Sequence, residues 1–134
     1  MDMSTAVFQV LDASRCRELL ASEHVGRLAY IADDAPVIVP VDYAMFEGCL
    51  VFRTDRGDKY AHVPLQRVCF EVDRHDEDAT WSVIVRGHAR DVTTAMSDHF
   101  NRMRKLRMHS AAPLHDPHWI SIDLDEISGR WFGN

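Results

Sequence analysis

Between Phe52 and Lys59 the chain reads Phe-Arg-Thr-Asp-Arg-Gly-Asp-Lys, and this is its most chemically suggestive stretch. Apolar alternation before it delivers Arg53 and Thr54 to the end of a strand. Gly57 permits a tight turn, and Lys59 opens a helical turn. A guanidinium fork, a hydroxyl, an ammonium and free backbone N–H groups are what a phosphate needs. The same residues also make an ordinary charged turn, with Asp55 and Asp58 pairing Arg56 and Lys59. Spacing leaves both readings open.

A second candidate is Trp81-Ser82-Val83-Ile84-Val85-Arg86-Gly87-His88-Ala89. Period-two alternation puts Trp81, Val83, Val85 and Ala89 on one face, and Ser82, Ile84, Arg86 and His88 on the other. An aromatic beside a hydroxyl at a strand start suits a planar ligand. A tryptophan there equally plugs a barrel. Of the eight histidines, His109, His115 and His118 fall in one irregular loop without the spacing of a metal site. The basic run Arg102, Arg104, Lys105 and Arg107 opposes Met96, Phe100 and Met103 and reads as a solvated helix face. No GxSxG elbow, GxGxxG turn or P-loop occurs.

The elements that must position these groups follow from periodicity. Ser14 predicts the N-cap of a short helix running to about Ser22, with Cys16, Leu19 and Leu20 on one face. Strands are predicted over 25–31, 36–44, 49–54, 67–73, 80–92 and 119–124, broken at Asp33-Asp34, at Glu47-Gly48 and at an acidic hairpin, 76–78. In the second, Val37, Val39, Val41 and Tyr43 oppose Ile38, Pro40, Asp42 and Ala44. Pro40 donates no hydrogen bond, which predicts an edge, a bulge or a bend beside a ligand. A helical turn is expected over 58–63, and an amphipathic helix over 94–108 with Met96, Phe100, Met103 and Leu106 inward. A loop, 110–117, and a short tail complete the chain. Strands joined mostly by short turns predict an antiparallel barrel, since a doubly wound fold would need helices between most strands.

Composition narrows the classes. The 134 residues, 46% hydrophobic and 27% charged, suit one globular domain over 1–134 and exclude a disordered or membrane-embedded composition. A net charge of −6 argues against a nucleic-acid partner. The first residues lack a basic and apolar leader, and three scattered cysteines form no CxxC pair. A reducing cytoplasm is the expected compartment.

Taken in order, the segments 19–29, 36–43, Phe52-Arg53-Thr54 with Gly57-Asp58-Lys59, Trp81–Ala89, and Trp119-Ile120-Ser121-Ile122 through Arg130 resemble one family. They are similar to the pyridoxamine 5′-phosphate oxidase-like proteins, in the branch containing nitroimidazole-resistance proteins. The likeness covers roughly residues 10–132. It implies a mainly β fold, a six-stranded antiparallel split barrel, assembled as a homodimer with FMN in clefts at the subunit interface. By position, Arg53, Thr54 and Lys59 would hold the phosphate, and the backbone of Val39, Pro40, Val41 and Asp42 would follow the isoalloxazine edge. Trp81 and Ser82 would share the cleft, and Trp119 would reach it from the partner subunit. Asp58 stands where the family commonly has a small or hydroxylated residue, placing a negative charge beside the implied phosphate. The substrate-phosphate residues of true pyridoxamine phosphate oxidases are not recognisable, so vitamin B6 oxidation is not expected. The expectation is an FMN-dependent oxidoreductase acting on nitro or quinone compounds with a small-molecule electron donor. The alternatives are a deazaflavin-coenzyme enzyme, with Arg56 or the Arg102–Arg107 run meeting its acidic tail, and a non-catalytic flavin or haem carrier using His62 or His88.

Overall fold

The computed structural model describes residues 7–108 and 113–133. His109 and the first part of the expected 110–117 loop lie outside them. Within the described residues run β1 (Val7–Leu11), α1 (Ala13–Ala21), β2 (Val25–Ala32), β3 (Ala35–Asp42), β4 (Ala44–Phe46), β5 (Cys49–Thr54), α2 (Asp58–His62), β6 (Arg67–His75), β7 (Ala79–Asp91), α3 (Asp98–Met103), β8 (His118–Asp123) and β9 (Glu126–Gly133). The six expected strands are all present as β2, β3, β5, β6, β7 and β8. Three further segments join the sheet: β1, β4, and β9, which the sequence shows only as a tail.

Every pairing is antiparallel, in the order β3-β2-β6-β7-β8-β5-β4, with β9 bridging β1 and β7. Short turns explain this topology. Asp33 and Asp34 take positive φ (51° and 62°) in a two-residue hairpin, and Glu47-Gly48 (44° and 85°) make another. Positive φ at both central positions matches the twist of the flanking strands. The sheet curls into an open half-barrel because β7 changes partner along one edge. Its first part pairs with β9, and Ala89–Asp91 pair with β8. Gly87 lies at that switch, where a Cβ would stand 1.6 Å from the carbonyl oxygen of Asp123. Only glycine lets β8 cross so closely. The curl brings β3 against β5.

The concave side holds the main core, including Leu28, Phe52, Phe70, Val83, Val85, Ile120 and Ile122. Trp81 belongs to it as a barrel plug, 5% exposed. A smaller cluster of Val51, Val92, Met103 and Trp119 lies under α3.

Two helical expectations need correction. The cap of α1 is Asp12, whose carboxylate accepts from the amide of Arg15 at 2.8 Å, two residues before Ser14. The helix expected over 94–108 is only the six residues of α3, capped by Ser97 accepting from Phe100 N–H. The Arg104 guanidinium donates to the carbonyls of Val92 and Ala95 at 2.9 and 2.8 Å, holding the lead-in to α3 folded back as a turn. Met103 packs as expected, whereas Met96 falls outside the helix and is exposed. No helix among the described residues is long and apolar enough to cross a membrane.

Candidate functional site

β5 ends in Arg53 and Thr54, and the turn 55–57 leads into α2. Arg53 is half-buried, opposite Trp119 of β8 in register, with its guanidinium carbon 5.5 Å from the indole centroid. Such a contact draws the cation to the ring face without neutralising it. Lys59, one residue into α2, is also half-buried. Among the described residues neither Arg53 nor Lys59 has a carboxylate within ion-pairing reach.

The carboxylates around them face elsewhere, so the charged-turn pairing is not formed. Asp55 accepts from the backbone N–H groups of His115, at 3.0 and 3.1 Å, and Asp116, at 2.8 Å. Those amide bonds hold its carboxyl below the usual aspartate range and latch the loop 113–117 onto the turn. Arg56 turns to Asp116 at 3.4 Å. Asp58 accepts from the hydroxyl of buried Tyr30 at 2.5 Å and lies 3.4 Å from the His62 ring. Burial, with the hydrogen bond to Asp58 second, pushes the Tyr30 phenol up to about 12. The charge that the sequence places beside the phosphate position is thereby held toward β2.

A network that the sequence does not reveal fixes the other side. Tyr60 of α2 donates to Asp91 at 2.8 Å, and the Thr93 hydroxyl donates to the same carboxylate at 2.5 Å. The Thr93 oxygen in turn accepts from the N–H of Trp119 at 2.9 Å. Burial opposes the charge on Asp91, but the Thr93 and Tyr60 donors outweigh it and hold the carboxyl below its ordinary range. The His118 ring lies 4.1 Å from that of Tyr60, with its buried Nδ1 3.7 Å from Asp91. The network joins α2, the end of β7 and the start of β8, three segments distant in sequence, so no local pattern announces it.

The remaining expected residues are placed as follows. Thr54 is buried on the inner face and its hydroxyl donates to the Asp55 carbonyl at 3.1 Å, so it shapes the turn. Val39, Pro40, Val41 and Asp42 belong to β3, an edge strand among the described residues, with Val41 inward and Pro40 exposed. Val37 pairs with Tyr30, whose hydroxyl holds α2, so Val39 begins roughly 7 Å along the strand from that point. Ser82 is half-buried and lies nine residues from Asp91 along β7, roughly 30 Å of extended chain. Within one chain, Arg53 meets Trp119 at the end of β5 and Lys59 follows in α2, while Trp81 and Ser82 sit at the far end of β7. His62 lies 3.0 Å from the Asp58 carbonyl, and His88 lies 2.9 Å from the Asp125 carboxylate.

Comparison with known proteins agrees with this architecture. A family model described as pyridoxamine 5′-phosphate oxidase matches residues 12–131. The FAD binding protein from Mycobacterium smegmatis superposes with a TM-score of 0.79 at 30% identity, over 96% of this chain and 99% of its own. For a putative pyridoxamine 5′-phosphate oxidase from Corynebacterium glutamicum the values are 0.83 and 26%, over 96% and 100%. A putative 5-nitroimidazole antibiotic resistance protein from Bacteroides thetaiotaomicron, 13% identical with a TM-score of 0.72 over 96% and 89%, shares the fold. No curated protein matches.

Proposed function

The chain belongs to the pyridoxamine 5′-phosphate oxidase family, and from that footing we propose that it is a flavin-dependent oxidoreductase holding the phosphate of its flavin nucleotide between Arg53 and Lys59. One observation carries the reading. Two half-buried cations, Arg53 at the end of β5 and Lys59 in α2, have no carboxylate partner among the described residues, and Asp55 and Asp58 are engaged in other directions. Half-buried cations that no carboxylate neutralises keep their donors free for an anion, and a phosphate suits them. The M. smegmatis relative is an FAD binding protein, and FAD contains the whole of FMN, so the shared phosphate is the group assigned here.

Arg53, held over the Trp119 ring, presents its fork to two phosphate oxygens, and Lys59 adds a point charge. The Asp91–Thr93–Trp119 network keeps the indole under the guanidinium. The edge of β3 supplies backbone groups along Val39–Asp42, and Pro40 withdraws one donor from that edge. When bound, the flavin supplies hydride transfer, and the protein's part is orientation and exclusion of water. The acceptor class we propose is nitro or quinone compounds, reduced at the expense of a small-molecule donor. Three unpaired cysteines suit work in the cytoplasm.

A homodimer belongs to the same reading. The outward face of β2 and β3 exposes Val25, Ile31 and Ile38, an apolar strip that a second copy would cover symmetrically. Sedimentation should show a dimer at micromolar concentration, and a stable monomer would count against it. The test of the function itself is the visible spectrum of freshly purified protein, with mass analysis of what denaturation releases. Flavin bands and a flavin mass are expected. A colourless protein that also fails to bind added flavin would remove the proposal.

A further inference from the structure

Leu65 holds φ 69°, in the left-handed region that favours glycine and asparagine, and it is 91% exposed. The other non-glycine residues with positive φ among the described residues are Asp33, Asp34 and Glu47, polar groups in hairpin turns. A single exposed leucine is ordinary on a surface. One kept exposed on a strained backbone is not, and strain of this kind gathers at sites of contact. The fold holds Leu65 in place: its N–H donates to the Ala89 carbonyl at 2.9 Å, and the Ala89 N–H donates to the Gln66 carbonyl at 3.0 Å. A side chain so exposed gains little inside its own chain.

A depression of about 320 Å³ lies beside it, lined by Ala29, Ile31, Pro36, Cys69, Arg67 and Arg86. Arg67 is two residues from Leu65, a span of at most about 7 Å, and the Gln66 carboxamide between them bonds the N–H and carbonyl of Ile31 at 2.6 and 3.1 Å. Resting on the homodimer reading above, we infer that the second copy docks on this face, with Leu65 of each chain seated in the depression of the other. A knob and a hole side by side on one chain are satisfied together by a single twofold axis between them, so a copy of the chain is the partner that fits both. The size fits, since deleting a leucine side chain from a core leaves on the order of 150 Å³. The depression also continues into the apolar strip of β2 and β3, because Ile31 pairs with Pro36 and Ala29 with Ile38. Arg67 and Arg86 share the Glu126 carboxylate of β9, at 2.5 and 3.9 Å, which tempers repulsion between the two copies near the axis.

Leu65→Asn removes the knob and suits the left-handed backbone, so the fold is spared. Ala29→Phe closes the hole from the other side. Both variants and wild type are checked by circular dichroism and followed by sedimentation equilibrium across a concentration series. Wild type should be dimeric at micromolar concentration. Each dimer loses two seated leucines in Leu65→Asn, so its Kd for self-association should weaken about thirtyfold or more, and Ala29→Phe should weaken it about tenfold or more. Leu65→Cys reads the contact itself. Under mild oxidation the introduced thiol should join Cys69 of the second copy in a product of twice the chain mass, and Cys69→Ser in the same background should abolish that product. If Leu65→Asn does not fold, Ala29→Phe and the cross-link carry the comparison. An unweakened dimer in either variant, or the absence of a cross-link that depends on Cys69, would overturn the docking assignment and leave the homodimer reading intact. A wild type that stays monomeric would remove the homodimer reading itself, and this docking with it.

Discussion

Replacing Asp58 with alanine separates two accounts of that residue. From the sequence, the carboxylate stands beside a phosphate, and removing it should tighten binding. In the structure it is the acceptor for Tyr30, a phenol buried to 3% exposure whose hydroxyl donates at 2.5 Å. Asp58→Ala leaves that hydroxyl stranded, and an unsatisfied buried donor costs about 1–3 kcal/mol. Tyr30→Phe removes the donor and frees a carboxylate that is 61% exposed and rehydrates easily, so it should cost no more than about 0.5–1.5 kcal/mol. With Tyr30→Phe already in place, Asp58→Ala should cost under about 0.5 kcal/mol, giving a coupling of at least about 0.5 kcal/mol in a double-mutant cycle. Urea unfolding of the flavin-free protein measures all four corners, and each kcal/mol corresponds to about 3–5 °C in Tm for a chain of this size. Flavin affinity should move by less than about threefold, because the charge already points toward β2. A neutral Asp58→Ala, or an equal cost with and without the Tyr30 hydroxyl, would refute the reasoning.

Tyr30 also sets an alkaline limit. Its phenol is raised from 10.0 to about 12, so above pH 10 the unfolded chain releases a proton that the folded chain retains until near pH 12. Stability should therefore fall across that window, and Tyr30→Phe should flatten the fall by about 1.4 kcal/mol per pH unit in denaturant titrations. Gly87→Ala should be among the most damaging single changes, about 4 kcal/mol or more or no folded protein at all, because the new Cβ meets the Asp123 carbonyl at 1.6 Å. Gly57→Ala, with open space around its Cβ, should stay within about 0.5 kcal/mol in the same unfolding assay. Asp55→Ala should release the loop 113–117, raising hydrogen exchange at the amides of His115 and Asp116 about tenfold or more. The depressed carboxyl of Asp55 means the wild-type latch holds above the ordinary value of 3.8 and is lost on acidification below it, where the same amides should lose protection.

Strands were the legible part of the fold. The alternation of Val37, Val39 and Val41 against Ile38 and Pro40 reports the half-buried edge strand β3, and Trp81, Val83, Val85 and Ala89 report the inner face of β7. Period two survives in the sequence because one face meets the core and the other meets water. Helix α3 was less legible. Met96, Phe100 and Met103 satisfy a helical period, yet Ser97 caps later and Arg104 ties down the lead-in through Val92 and Ala95, contacts that no periodicity contains. Of the site, Arg53 and Lys59 were readable as local chemistry. Their lack of carboxylate partners was not, because it depends on where Asp55 and Asp58 turn, and Asp58 turns to a tyrosine 28 residues earlier. Tyr60, Asp91, Thr93 and His118 were invisible for the same reason.

The clamp on the flavin phosphate is tested most directly by titrating flavin-free wild type and Arg53→Ala with FMN under one set of conditions. Arg53 is half-buried and partly solvated, so its loss should cost about 2–3 kcal/mol, a roughly thirty- to two-hundredfold weaker Kd, with riboflavin, which lacks the phosphate, binding both proteins alike. Lys59→Ala should weaken FMN less, its ammonium being better hydrated and less directional. Equal FMN affinities for wild type and Arg53→Ala would contradict the account and place the phosphate elsewhere.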